Sequence, residues 1–402
     1  MSIRDQISRL VDENAKDIID FTQAVVGLAS ITGEEGPCAE RISQEVSRIG
    51  MAKQEVAVEP NRPNIIGTLK GDGPGEKLLL NGHIDVVHPG HGRDWIKDPF
   101  SAVIEDGYLH GRGAVDMKGG LCGILKAVEI IKKAGIKFPG EIVYTAVVDE
   151  QVGGYKGIRY LMDHGYLDGS TVGLNAEPTH MRIEICHKGG YKSIVTNYGR
   201  GAHGSRPWLG INAVEKSVDL IMRLRRVRDE VLPTKSHPML GKPTLNIGMI
   251  KGGNALNLVP SWSTVWIDRR FVPGETKEEL DRELHGVLEE LAANDPEFKY
   301  EIEMEGITPP LDVKEDEPIV QALKKGFKAA LGKEAVIGGK CAGTDASKIV
   351  DHLNIPMPVF GPGDYIKYSL GPNEKLKLDD LLDATKVYAL AILDVLGVNI
   401  DD

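Results

Sequence analysis

The feature that most constrains this chain is a set of apolar segments that each run straight into a histidine or an acid. Leu78-Leu79-Leu80 leads to His83 and Asp85, the segment 141–148 to Asp149-Glu150, and the segment 171–176 to Glu177-Pro178. Short, continuous apolar runs separated by helical periods predict buried strands of an α/β sheet. In open α/β sheets, sites form beyond the carboxyl ends of the strands. A fourth acid, Asp116, lies in Gly111-Arg112-Gly113-Ala114-Val115-Asp116-Met117-Lys118-Gly119-Gly120. The apolar stripe Leu121, Ile124, Leu125, Val128, Ile131 follows it, so Asp116 is expected at a helix start. A capping carboxylate there contributes roughly 1 kcal/mol. Capping needs none of the flanking glycines, which permit close backbone approach. One acid at a strand end is ordinary surface. Four such positions between residues 83 and 177 predict a convergent site. His83 can ligate a metal through one ring nitrogen while a carboxylate near the other, such as Asp85, fixes its tautomer.

The 402 residues allow two domains. A formal charge of −11 argues against nucleic acid or an anionic membrane as partner, since both require a basic face. Cys38, Cys122, Cys186 and Cys341 form no CxxC pair. They suggest neither a zinc knuckle nor a disulfide framework and fit a reducing compartment. The first twenty residues are heavily charged, and no run of about 18 apolar residues occurs, so a cytoplasmic protein is expected.

Periodicity predicts one helix over 3–30. After His187-Lys188-Gly189-Gly190 the pattern changes to strand 191–197, helix 212–228, strands 244–250 and 262–270, helix 277–293 and strand 298–304. That order suggests a ferredoxin-like α+β insertion of the βαββαβ kind. Gly306-Ile307-Thr308-Pro309-Pro310 reads as the return hinge, and the last helix, 378–396, should stop at Gly397. The expected architecture is an α/β domain with a mixed sheet (1–187 and 306–402), interrupted by a smaller domain (188–305).

These motifs resemble a zinc metallopeptidase family that includes aminoacylase, carboxypeptidase G, acetylornithine deacetylase and succinyl-diaminopimelate desuccinylase. The likeness rests on His83-x-Asp85-Val86-Val87, the Gly111–Gly120 stretch, Asp149-Glu150 and Glu177-Pro178. It continues through Gly201-Ala202-His203-Gly204-Ser205-Arg206-Pro207, Asn257-Leu258-Val259-Pro260, Asp268-x-Arg270, Gly343-Thr344-Asp345 and Gly361-Pro362-Gly363-Asp364. The resemblance implies that the insertion is a lid that dimerises and that the family's metal sites hold two zinc ions. It implies His83, Asp116 and Glu177 as ligands of the first ion, Asp85 as the partner of His83, and Glu150 as general base. It implies His203 as oxyanion stabiliser, and Asn257, Arg270, Gly343 and Thr344 as the holders of a substrate carboxylate.

Two positions depart, and both concern the second ion. A further glutamate is expected after Glu150, where this chain has Gln151; a histidine is expected four residues before Glu374, where it has Leu370. An amide oxygen is a poor zinc ligand and leucine is none. Asp116 and Glu177 balance one divalent ion, and a second would leave a costly excess charge. One divalent ion, zinc or manganese, is therefore expected, with His352 or the substrate as the open sources of a missing ligand. The functional expectation is a hydrolase that cleaves a C–N bond of a small carboxylate-bearing substrate. The alternatives are an aromatic aminohydrolase of the 5-nitroanthranilate type, which releases ammonia, and a binding protein without chemistry. Neither nucleic acid nor membrane is expected as partner; a homodimer or higher homo-oligomer through the lid is.

Overall fold

The computed structural model describes residues 2–401. The chain forms two compact units: 1–185 with 312–338 and 344–402, and 186–311 with 339–343. It thus crosses after Ile185 and Leu311, against expected boundaries after 187 and 305. Residues 339–343, expected in the catalytic domain, belong to the second unit.

The first unit is built on a five-stranded mixed sheet. Its strands are β1 (Ala52–Ala57), β2 (Pro63–Lys70), β3 (Lys77–His83), β4 (Glu141–Val147) and β5 (Val172–Asn175). They lie in the order β1-β2-β4-β3-β5. β1 and β2 form an antiparallel pair, and β2 runs antiparallel to β4. β3 lies between β4 and β5 and runs parallel to both, with His83 opposite Val147 and Asn81 opposite Asn175. The apolar runs of the sequence are these three strands. Their parallel register brings His83, Asp149-Glu150 and Glu177 to one edge.

Helix Gly119–Ala134 buries every residue from Gly119 to Ile131, including the ion-paired Lys126 and Glu129. It packs against helix Leu378–Val395. A methyl on Gly120 would lie 1.9 Å from the carbonyl oxygen of Ala176. Only glycine lets this helix start meet the end of β5, immediately before Glu177. Gly397, at φ +84°, follows the last helix, as the stop signal requires.

Two helical readings need correction. The single helix expected over 3–30 is two, Ile3–Glu13 and Ala15–Val26. The Asn14 side chain donates to the Leu10 carbonyl at 2.7 Å, and such a local bond competes with the helical ladder. Asp116 does not open a regular helix: its φ and ψ of −116° and 94° are non-helical, and the regular turns begin at Gly119.

The second unit contains β6 (Gly189–Tyr198), helix Ala213–Arg226, β7 (Thr244–Gly252), β8 (Trp262–Phe271), helix Lys277–Asn294 and β9 (Lys299–Thr308). Its four strands lie in the order β7-β8-β6-β9, all pairs antiparallel, which is the ferredoxin-like arrangement. Val195, Val265 and Ile267 from the strands pack with Leu220, Leu224, Leu284 and Leu288 from the helices. Thr276 and Glu279 form a reciprocal capping box at the start of the second helix.

Candidate functional site

His83 ends β3 and is 1 % exposed. Its Nδ1 lies 2.9 Å from the backbone carbonyl of Asp85 and 3.5 Å from that residue's carboxylate. The carbonyl, rather than the carboxylate expected from the sequence, is thus the nearer partner that sets the tautomer. The Asp85 carboxylate binds elsewhere: it accepts from the amides of Glu150 (3.0 Å) and Gln151 (3.1 Å) and from the Thr32 hydroxyl (2.9 Å). Asp85 therefore ties the histidine to the turn that bears Glu150.

The other ring nitrogen, Nε2, is buried and makes no hydrogen bond. It faces Asp116 Oδ1 at 3.2 Å, Glu177 Oε1 at 3.3 Å and Glu150 Oε2 at 3.8 Å. Burial alone would lower the His83 pKa, but Asp116, Asp85, Glu177 and Glu150 together hold it well above its usual value. Several carboxylates converging on one buried imidazole suit a cation bound among them. One nitrogen and several carboxylate oxygens are the donor set of a divalent ion such as zinc. Ligand atoms of His83, Glu150 and Glu177 all lie within 4.8 Å of one another.

Glu150 starts a 3₁₀ turn behind Asp149, whose φ of +71° is left-handed. Arg62 holds that strained residue: its Nη2 donates to Asp149 at 3.0 Å and it forks onto Glu35 at 2.7 Å twice. Burial raises the Glu150 carboxyl to about 8, against the lowering effect of Lys348 and His83. Lys348 Nζ stands 3.9 Å from Glu150 Oε1 and 2.8 Å from Asp345.

Asp116 is embedded in neutral donors. Ser369 Oγ donates to Oδ2 at 2.6 Å, and Gln151 Nε2 approaches Oδ1 at 3.4 Å. Its own amide donates to Glu374 Oε1 at 3.0 Å, beside the Val115 amide at 2.8 Å, and Arg112 holds Glu374 Oε2 at 2.7 Å. Leu370 is half exposed and contributes only its carbonyl, to Arg112 at 3.1 Å. His352 stands apart from this cluster and faces Asp163, at 3.9 Å.

The remaining candidates divide between the units. In the second unit, Gly204 N donates to Asn257 O at 2.7 Å, so the His203 and Asn257 loops are paired. His203 is exposed, with Nδ1 2.8 Å from Ser205 Oγ. Arg270 on β8 forks onto Asp268 at 2.8 and 3.0 Å. Gly343 lies in the same unit, whereas Thr344 caps helix Asp345–Leu353 of the first, its hydroxyl accepting from Ala346 N at 3.2 Å. Sequence reasoning missed Arg62, Ser369 and Lys348. Lys348 carried a signal, since three helical residues after Asp345 it returns to that acid. Ser369 and Arg62 carried none.

The family model for peptidase family M20/M25/M40 matches residues 79–394. The N-formyl-4-amino-5-aminomethyl-2-methylpyrimidine deformylase of Bacillus subtilis is 27 % identical over 95 % of both chains. A probable succinyl-diaminopimelate desuccinylase of Staphylococcus epidermidis is 28 % identical over 87 % of this chain and 91 % of its own. Among solved structures, the di-peptidase Dug1p of Saccharomyces cerevisiae superposes with a TM-score of 0.79 at 17 % identity, over 98 % of this chain and 99 % of that one. The chain belongs to peptidase family M20/M25/M40 and is a metal-binding hydrolase of carbon–nitrogen bonds.

Proposed function

We propose that this enzyme hydrolyses an amide-type C–N bond in a small carboxylate-bearing substrate, with one divalent ion, zinc or manganese, held by His83, Asp116 and Glu177. The observation that carries this reading is the buried Nε2 of His83, without a hydrogen bond and ringed by three carboxylate oxygens. A divalent ion held by these residues would lower the pKa of a water and polarise the scissile carbonyl. Glu150 takes a proton from the attacking water and delivers it to the leaving nitrogen. Its buried carboxyl, pushed up to about 8, suits a group that must both accept and return a proton. Asp85 keeps His83 and the Glu150 turn in register.

His203 stabilises the oxyanion, and Asn257, Arg270, Gly343 and Thr344 receive the substrate carboxylate. Arg270 already shares its guanidinium with Asp268, so substrate competes with an internal fork. The second unit acts as lid and as the contact of a homodimer. The single ion is supported by the contacts of Asp116: a hydroxyl and an amide stand on its two oxygens, and the side chain at 370 cannot ligate. Amide hydrolysis is favoured over amine release because both curated relatives are named for removing an acyl group from nitrogen.

The test is a panel of N-formyl, N-acetyl and N-succinyl amines and amino-substituted aromatic acids, assayed with and without added zinc or manganese. Release of acid plus amine supports the reading; release of ammonia with an intact carbon skeleton would replace it by the aminohydrolase. Glu150→Ala should abolish turnover while metal content is unchanged. Loss of the ion in that variant would move Glu150 into the ligand set.

A further inference from the structure

Glu150 stands close enough to the proposed ligands to join them. Its Oε2 is 3.8 Å from His83 Nε2, against 3.3 Å for Glu177 Oε1, and ligand atoms of the three residues lie within 4.8 Å of one another. A carboxylate bound to an ion is a weaker base than a free one, so the reaction needs Glu150 beside the ion and not on it.

The far side of the same carboxylate meets Lys348, whose Nζ lies 3.9 Å from Oε1. Lys348 belongs to the first turn of helix Asp345–Leu353 and is 5 % exposed. Burial alone would lower its pKa, but Asp345 and Glu150 outweigh it and raise the value, so the ammonium keeps its charge. Among the described residues its one hydrogen bond goes to Asp345 Oδ1 at 2.8 Å, which leaves donors for Glu150. Gly154, at φ +74°, makes room for this pair beside the Glu150 turn. A methyl there would lie 3.2 Å from Lys348 Nζ and 3.3 Å from Asp345 Oδ1.

We propose that Lys348 is a positioning residue: by drawing Glu150 Oε1 to itself, it keeps this carboxylate out of the ligand set and available as base. The inference rests on the ion site of the proposed function. The test uses the full-length protein, stripped of metal and titrated with zinc against a chelating competitor. Lys348→Met should bind zinc about tenfold tighter than the unmodified protein, the order by which groups around the ligands tune metal affinity. Structural damage alone would weaken binding instead. The gain should vanish in Glu150→Gln/Lys348→Met, because an amide oxygen is a poor zinc ligand. Lys348→Arg, which keeps the charge, should show no gain. Turnover of Lys348→Met should fall about a hundredfold in spite of the tighter ion, as expected when the base is lost to ligation. Methionine leaves Asp345 buried without its cation, so Asp345→Asn/Lys348→Met repeats the comparison with both charges removed. Absence of a bound ion in the unmodified protein overturns the site and this inference together. An ion that is bound, but no more tightly in either lysine-to-methionine variant, overturns this inference alone. So does a gain that persists with Glu150→Gln.

Discussion

Two clusters of carboxylates, each with buried members, lie in the first unit, and they differ in what stands at the centre. Asp17, Glu45 and Glu129 converge as closely as His83, Glu150 and Glu177 do. In the former, Lys126 Nζ occupies the middle, at 2.7, 2.5 and 2.9 Å from the three acids, and Arg48 adds contacts of 2.6 Å to Glu45 and Glu129. In the latter the central atom is an imidazole nitrogen without a hydrogen bond. Buried acids need a cation. One cluster carries its own, covalently attached, and is structural; the other must take its cation from solution. Proximity of acids therefore says little until the positive charge has been found.

The comparison can be broken in graded ways. The largest effect is expected from His83→Ala, which removes the one nitrogen donor of the site. Metal content by elemental analysis should fall to background and activity with it, while the melting temperature measured in chelator should change little. A variant that keeps its ion would dissolve the contrast between the clusters.

Lys126→Met attacks the other cluster. It leaves buried acids uncompensated and should cost about 3–5 kcal/mol in urea unfolding at pH 7, with metal content unchanged. The pH dependence has a definite sign. Burial raises Glu45 and Glu129, but Arg48 and Lys126 outweigh it and hold both at about 2, below their ordinary 4.5. The stability they contribute is present above that ordinary value and is lost as pH falls toward 2. In Lys126→Met this acid loss should flatten, so wild type and variant converge at low pH. Parallel curves would mean that Lys126 is not the centre of the cluster.

Asp85→Asn is expected to act more gently. It keeps the shape but weakens the link between His83 and the Glu150 turn, and should reduce metal affinity about 10- to 100-fold in a competition titration. An unchanged affinity would leave the Asp85 backbone carbonyl as the sole support of the imidazole.

The smallest change sharpens the picture within the metal cluster itself. Gln151→Glu with Leu370→His supplies two donors near Asp116, and elemental analysis should rise from one ion per chain toward two. Two ions in the unmodified protein would refute the single-ion reading outright.

Much of this is legible in the sequence. A continuous apolar run that stops at a polar residue marks the point where a buried strand leaves the core. His83, Glu150 and Glu177 follow from that pattern, and their convergence follows from the parallel pairing of β3 with β4 and β5, whereas Asp116 is marked by the glycines and the helical stripe around it. What stays hidden depends on side chains brought in from far along the chain. Ser369 reaches Asp116 from 253 residues away, and Arg62 reaches Asp149 from 87. Neither sits in a periodic segment. Lys126 is hidden differently, inside a helix whose apolar stripe makes its neighbours conspicuous and itself an apparent surface residue. The break at Asn14 escapes because apolar period is blind to one side chain bonding back to its own turn.

The contact at Gly120 bears on how the site selects its ion. With the Ala176 carbonyl filling the space a methyl would need, the segment carrying Asp116 and the strand end carrying Glu177 are stacked backbone on backbone. Their separation is a mechanical stop, like the fixed jaw of a gauge. If Asp116 and Glu177 hold the ion, that fixed spacing would favour one ionic radius over others, a consequence of a missing side chain.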